Sequence, residues 1–183
     1  RPGQRRGDIT PFYLFYPQAP QRIYSLLPNA KLVVLLRDPV ERALSQYFHS
    51  VRLGFEHLPV AEGLAAERER LRTEDPLHLQ EHSYVSRSRY LEQLDRYREL
   101  FPDQQLLVLK SEVLFADPAT TWKRIESFLG LPATPCPATL PKANSGKGEA
   151  EAVPPEIRDD LRRQLIATAL GVRERYGFGW DWA

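Results

Sequence analysis

A short apolar run that stops at a charged turn constrains the fold of this chain most. Residues 32–36 read Leu-Val-Val-Leu-Leu, and Arg37, Asp38 and Pro39 follow directly. An unbroken apolar run of this length is typical of a parallel strand that is covered on both faces. Asp38 suits the N-cap of a helix and Pro39 its first position. The sequence therefore predicts a buried strand that leads straight into a helix, with an arginine at the junction.

Strands and helices alternate along the rest of the chain. Strands are predicted at 31–36 and 105–110, helices at 18–27, 39–53, 59–72, 84–101, 118–129 and 154–175, and a polar loop at 73–82. This alternation indicates a layered α/β fold with a parallel sheet, which we assign to a single domain over residues 1–183. Two strands are few for such a sheet, and the sequence contains no methionine. We therefore expect the C-terminal portion of a domain that is incomplete on its N-terminal side.

Composition excludes several classes of protein. The 25 basic and 24 acidic residues give a net charge of +1, which leaves no charge excess for coating a nucleic acid. No apolar run approaches the roughly 18 residues of a membrane span. Cys136 is the only cysteine, so no disulfide forms within the chain and a reducing, cytoplasmic compartment is the simplest expectation. His78 and His82 are four residues apart without a completing ligand pattern, so no metal site is predicted.

The junction after the first predicted strand suits a phosphate group. The N-terminus of a helix carries about half a positive charge, and the planar guanidinium of Arg37 matches phosphate oxygens. Ser45 lies on the same helix face as Asp38 and Glu41, so its hydroxyl can turn toward the strand end. In the alternative interpretation, Arg37 pairs with Asp38 or Glu41 and Ser45 is a small packing residue. These residues alone leave both interpretations open.

A longer pattern resembles a known family. Residues 27–32 (Leu-Pro-Asn-Ala-Lys-Leu) and 35–47 (Leu-Leu-Arg-Asp-Pro-Val-Glu-Arg-Ala-Leu-Ser-Gln-Tyr) resemble the 3′-phosphate-binding segment of sulfotransferases, which use 3′-phosphoadenosine-5′-phosphosulfate (PAPS) as donor. The bacterial and heparan sulfate sulfotransferases are the most similar members. The second half of the family is matched in order by residues 88–94, 100–102, 105–112, 117–118 and 128–131. The resemblance implies a three-layer sandwich with a parallel sheet, the P-loop nucleotide-hydrolase-like sulfotransferase fold.

The resemblance also implies which residues bind the donor. Arg37 and Ser45 stand where the family grips the 3′-phosphate. The glycine-rich stretch 142–148 stands where a loop closes over the nucleotide, and its expected contacts are Ser145, Lys147 and Gly148. Glycines there let backbone N–H groups approach an anion closely.

Asp8 is the candidate catalytic residue. Residues 7–13 (Gly-Asp-Ile-Thr-Pro-Phe-Tyr) are similar to a family segment that usually carries glutamate at the position of Asp8. A carboxylate near the acceptor acts as a general base if its pKa is raised. The alternative is that Asp8 bonds the backbone of its own turn.

The implied activity is transfer of a sulfuryl group from PAPS to a hydroxyl or amine of a carbohydrate or small molecule, which releases adenosine-3′,5′-bisphosphate. The glycine-rich loop with Lys and Thr that holds the 5′-phosphosulfate in the family has no counterpart in this sequence. Two alternatives stay open: a non-catalytic binding module on a nucleotide fold, and a P-loop kinase-like phosphotransferase. The kinase-like alternative requires a Walker-type loop and acidic magnesium ligands, and the sequence shows neither.

Overall fold

The structure is a computed structural model that describes residues 6–73, 75–137 and 148–183. In chain order its elements are α1 (Phe12–Phe15), α2 (Ala19–Leu26), β1 (Leu32–Leu36), α3 (Pro39–Leu53), α4 (Val60–Arg70), α5 (Pro76–Glu81), α6 (Tyr90–Arg98), β2 (Leu106–Lys110), α7 (Ser111–Ala116), α8 (Pro118–Leu129) and α9 (Pro155–Tyr176). Short 3-10 turns lie at Leu71–Thr73, Ser86–Ser88, Asp103–Gln105 and Glu149–Ala152.

The two strands form a parallel pair. The register runs from Leu32 opposite Leu106 to Leu36 opposite Lys110. Because the strands are parallel, their carboxyl ends lie at the same edge of the sheet. The residues that follow each strand therefore leave the sheet side by side. Helices surround this pair, and the predicted α/β class is confirmed.

Two buried clusters form the core. One joins the strands to α6, α9 and the C-terminal segment, and its buried members are Leu36, Tyr90, Leu94, Val108, Ala169, Val172 and Trp180. The other lies between α3 and α9, and its buried members are Val40, Ala43, Leu44, Val85, Val153, Leu161 and Leu165. Gly171 lets α6 and α9 approach closely, because a Cβ there would overlap the Leu91 side chain. Helix α9 thus contributes to both clusters.

Helix α3 confirms the prediction at both ends. The Asp38 Oδ1 accepts hydrogen bonds from the backbone N–H of Val40 at 2.8 Å and of Glu41 at 3.0 Å, as an N-cap does. Gly54 ends the helix in the left-handed region at φ 77°, which costs glycine little. The predicted strands and the helices at 18–27, 118–129 and 154–175 are also confirmed within one or two residues. The expected full burial of the first strand was wrong: only Leu36 is buried, and Leu35 is 45% exposed.

Three helices, α1, α5 and α7, were not predicted. Residues 73–82 were expected to form a loop, but α5 occupies Pro76–Glu81. Its N-cap is Asp75, whose Oδ1 accepts a hydrogen bond from the backbone N–H of Leu77 at 2.8 Å. This is the same aspartate-proline start as in α3. Helix α7 follows β2 without a turn.

The helix predicted at 84–101 was wrong at its beginning. It starts only at Tyr90, because Arg89 has ψ 67°, outside the helical region. The Gln93 side-chain amide also donates to the backbone carbonyls of Ser86 and Arg87, which a helix over 84–101 would use for its own hydrogen bonds. Within the described residues, no helix combines the length and apolar character needed to cross a membrane.

Candidate functional site

Arg37 and Asp38, which we call the corner, connect β1 to α3. The corner lies at the carboxyl edge of the sheet, beyond the last paired residue, Leu36. The first open N–H groups of α3 are already used, since Val40 and Glu41 both donate to Asp38. An anion at this corner therefore depends on side chains rather than on the helix amides.

The Arg37 side chain is exposed and makes neither a hydrogen bond nor an ion pair with any described residue. Both carboxylates that could neutralise it have other partners. The Asp38 Oδ2 accepts a hydrogen bond from the indole N–H of Trp182 at 2.6 Å, and Glu41 pairs with Arg158 of α9. The geometry favours the interpretation in which Arg37 is available to an anionic ligand.

Ser45 lies two turns into α3 and is half-buried. Its hydroxyl has no hydrogen-bond partner among the described residues. Ser45 follows Arg37 by eight positions, which corresponds to about 12 Å along a helix axis. A guanidinium and a hydroxyl, both without partners among the described residues, thus lie before α3 and in its first half.

Arg42 adds a fixed charge next to Ser45. Its Nη1 donates to the backbone carbonyl of Tyr84 at 2.8 Å. Burial lowers the pKa of the Arg42 guanidinium to about 10, so the group is still protonated at neutral pH. Arg42 and Ser45 are three residues apart and share a helix face. This cation raises the positive potential on the face that carries the Ser45 hydroxyl.

Gly148 begins the segment that returns to α3. It has φ +83° and precedes the 3-10 turn Glu149–Ala152. Glu149 pairs with Arg52 of α3 at 3.5 Å. Arg52 lies seven residues after Ser45 on the same face, about 10 Å further along the axis. The structure thus places Gly148 next to a segment that pairs with the last turn of α3, while the other two predicted loop contacts, Ser145 and Lys147, lie outside the described residues.

Asp8 lies in an exposed turn. Its Oδ1 accepts the backbone N–H of Ile9 at 3.0 Å and its Oδ2 accepts the Tyr13 hydroxyl at 2.6 Å. The hydrogen bond from Tyr13 to Asp8 raises the pKa of the Tyr13 phenol. Both oxygens of Asp8 therefore have partners within the turn, and no hydrogen bond links Asp8 to Arg37 or Ser45.

Three side chains that support the corner were not singled out from the sequence. Tyr90 donates to the Arg37 carbonyl at 2.9 Å, and the backbone N–H of Asp38 donates to Glu112 Oε1 at 2.7 Å. The third is Trp182. Glu112 could have been recognised from the sequence. It follows the second strand closely, and the carboxyl ends of parallel strands lie at the same edge of a sheet, so Glu112 is expected near the corner. Burial raises the pKa of Tyr90 well above its ordinary value, so its phenol remains a donor.

In residues 6–73, 75–137 and 148–183, no group of three or more His, Cys, Asp or Glu side chains is arranged to hold a metal ion.

Residues 14–147 match the family model described as the sulfotransferase domain. Among curated proteins, heparan sulfate glucosamine 3-O-sulfotransferase 6 of Mus musculus is 35% identical over 129 residues, which cover 70% of this chain and 36% of the mouse protein. Heparan sulfate glucosamine 3-O-sulfotransferase 3B1 of Homo sapiens is 32% identical over 129 residues, 70% of this chain and 32% of the human protein. The chain spans about a third of the length of these relatives.

A solved structure is also similar. The sulfotransferase from Alicyclobacillus acidocaldarius superposes with a TM-score of 0.76 and 30% sequence identity. The superposition covers 93% of this chain and 64% of the bacterial one. The likeness therefore extends over nearly all of the present fold.

Proposed function

The chain belongs to the sulfotransferase domain family, and on that premise we propose that it transfers a sulfuryl group from PAPS to an acceptor hydroxyl or amine. One observation carries the proposal: the exposed guanidinium of Arg37 has no partner among the described residues and precedes the helix that carries the unpartnered hydroxyl of Ser45. A charged fork and a hydroxyl donor are the chemistry that a phosphate monoester requires.

The donor set fits the 3′-phosphate of PAPS. Arg37 offers two parallel N–H donors to two phosphate oxygens, and Ser45 donates its hydroxyl to a third. Arg42 contributes positive potential without moving, since it is fixed to the Tyr84 carbonyl. Ser145, Lys147 and Gly148 are proposed to complete the contacts on the open side.

The protein would act mainly by positioning. PAPS, when bound, supplies the activated sulfuryl group. Arg37 and Ser45 hold the nucleotide so that the acceptor oxygen approaches in line with the leaving phosphate oxygen. The bond from acceptor oxygen to sulfur forms as the bond from sulfur to phosphate oxygen breaks, and the acceptor proton passes to a base.

We propose a carbohydrate acceptor, with a small molecule as the alternative. The names of the curated relatives state that they act on the glucosamine of heparan sulfate, which supports a sugar hydroxyl or amine. The cytoplasmic location expected from the cysteine content stays a prediction.

We expect Arg37→Ala to weaken binding of adenosine-3′,5′-bisphosphate by about 1.5–3 kcal/mol, because one charge-assisted contact is lost. Calorimetric titration measures this, with adenosine 5′-phosphate as the ligand that lacks the 3′-phosphate. The variant should bind adenosine 5′-phosphate as the wild type does. Arg124→Ala, which removes an exposed arginine on α8, is the matched control and should leave both affinities unchanged.

Equal affinity of the Arg37→Ala variant and the wild type for adenosine-3′,5′-bisphosphate would contradict the proposal. Transfer of labelled sulfate from PAPS to a glucosamine-containing oligosaccharide separates an enzyme from a non-catalytic binding module. A binding module would show the nucleotide preference without turnover. A kinase-like phosphotransferase would instead transfer phosphate from a nucleoside triphosphate.

Asp8 stays the candidate base of this proposal, and Asp8→Asn tests it. A general base contributes about a hundredfold or more to the rate, so we expect kcat to fall by at least that factor with little change in KM. Steady-state kinetics at saturating PAPS measures this. An unchanged kcat with a lower melting temperature would assign Asp8 to the turn that it forms with Ile9 and Tyr13.

A further inference from the structure

The corner lies outside the strand ladder and needs other support. Pairing between the strands ends at Leu36 and Lys110, so the backbone of Arg37 and Asp38 has no partner strand. An arginine that must meet a phosphate within a few tenths of an ångström needs a fixed backbone. The contacts that fix this backbone therefore bear on recognition as well as on stability.

We propose that Trp182 is a positioning residue, which holds the corner in the geometry that recognises a 3′-phosphate; this inference rests on the proposed function. The indole N–H of Trp182 donates to Asp38 Oδ2 at 2.6 Å across 144 residues of sequence. Tyr90 and Glu112 hold the same two residues through the backbone. Of these three side chains, Trp182 alone forms its hydrogen bond with a side chain of the corner, that of Asp38.

The two oxygens of Asp38 have separate tasks. Oδ1 caps α3 by accepting from Val40 and Glu41, and Oδ2 accepts from Trp182. Capping needs only one oxygen, which serine, threonine or asparagine also provide. The second oxygen accepts the hydrogen bond from Trp182. This bond restrains the Asp38 side chain further, which helix capping alone does not require.

Trp182 is itself held in place. Its ring packs against both core clusters. The segment that carries it is fastened by two hydrogen bonds: Lys110 Nζ donates to the Gly179 carbonyl at 2.6 Å, and Arg173 Nη2 donates to the Trp180 carbonyl at 3.1 Å. The Asp38 carboxylate is fixed between the Trp182 indole N–H on one oxygen and the first amides of α3 on the other. The direction of the neighbouring Arg37 follows from that.

The test compares two ligands that differ only in the 3′-phosphate. We expect Trp182→Phe, which keeps the aromatic packing and removes the N–H, to weaken binding of adenosine-3′,5′-bisphosphate about tenfold. Binding of adenosine 5′-phosphate should not change. Trp122→Phe is the matched control. It removes the indole N–H of a tryptophan on α8, which donates to the Thr134 hydroxyl at 3.2 Å, and it should leave both affinities as in the wild type.

The ratio of the two affinities decides the outcome. An unchanged ratio in Trp182→Phe, or an equal loss for both ligands, overturns the positioning role. A wild-type protein that shows no preference for the 3′-phosphate overturns the proposed function instead, so the two failures are distinguishable.

If near-ultraviolet circular dichroism shows that Trp182→Phe has not folded, Asp38→Asn takes its place. Asparagine retains the capping oxygen and turns an N–H2 group toward the indole N–H. Removing the negative charge of Asp38 would by itself strengthen binding of the anionic 3′-phosphate. A reduced preference of Asp38→Asn for the ligand with the 3′-phosphate therefore supports the positioning role, and an undiminished preference overturns it.

Discussion

Replacing Glu56 with glutamine is expected to lower the free energy of unfolding by about 3 kcal/mol, because it removes a buried charged acceptor that several donors share. The Glu56 side chain is fully buried. It accepts from Arg70 Nη1 at 2.5 Å and Nη2 at 3.2 Å, from the Tyr84 hydroxyl at 2.7 Å, and from the backbone N–H groups of His57 and Leu58, both at 2.9 Å. This carboxylate joins the end of α3 to α4 and to the segment before α6.

Urea unfolding measures the change. Glu69→Gln is the matched control, because it removes the same charge from an exposed ion pair, which Glu69 at the end of α4 forms with Arg72 in the following 3-10 turn. Exposed pairs contribute at most about 1 kcal/mol, so the control should stay close to the wild type. A loss below 1 kcal/mol in Glu56→Gln would contradict the importance of the buried pair.

The same variant should change the response to acid. Burial alone would raise the pKa of the Glu56 carboxyl, but the hydrogen bonds from Arg70, Leu58 and Tyr84 lower it to about 2, below its ordinary value of 4.5. A folded-state pKa below the unfolded one stabilises the protein above pH 4.5, and this stabilisation disappears as the pH falls toward 2. The wild type should therefore lose stability more steeply across that interval than Glu56→Gln.

Replacing Glu67 with glutamine is expected to cost about 3 kcal/mol as well, since several hydrogen bonds to one charged group are lost together. Glu67 accepts the backbone N–H groups of Tyr84 at 3.0 Å, Val85 at 2.7 Å and Ser86 at 2.9 Å, and the Ser86 hydroxyl at 2.5 Å. Glutamine has one acceptor oxygen and places an N–H2 group against these donors. The segment 84–86 should therefore loosen.

Hydrogen exchange at the amides of residues 84–86 reports this directly, and thermal unfolding gives the global cost. Glu62→Gln, on an exposed position of the same helix, is the control and should leave exchange unchanged. Wild-type protection of the three amides in Glu67→Gln would show that the carboxylate is not what holds the segment.

Local signals made much of this fold predictable. The first and last residues of α3 are predictable from residues at its ends: the N-cap Asp38, the proline that follows it, and Gly54. The strand before it is recognisable from five apolar residues in succession, although only Leu36 is buried in the structure. Arg37 and Ser45 stay a prediction, which rests on their chemistry and on their resemblance to a family, both of which point to the same ligand.

Charged side chains that are buried by distant partners were not predictable in this way. Residues 67–72 look like a solvated helix face, since Glu and Arg dominate them, yet Glu67 is only 5% exposed and Arg70 binds Glu56. The helical periodicity at 84–101 is real, but Arg89 leaves the helical region and the Gln93 amide takes the carbonyls of Ser86 and Arg87. Contacts over such separations leave no trace in a local pattern.

The bond between Asp38 and Trp182 also sets an order of events during synthesis. Its two residues are 144 positions apart, and at about 5–20 residues per second a ribosome needs roughly 7 to 30 s to make the intervening chain. During that interval Arg37 and the cap of α3 have already been translated, while the indole that holds them has not. The corner can therefore reach its final geometry only after the C-terminal segment that carries Trp182 has been made.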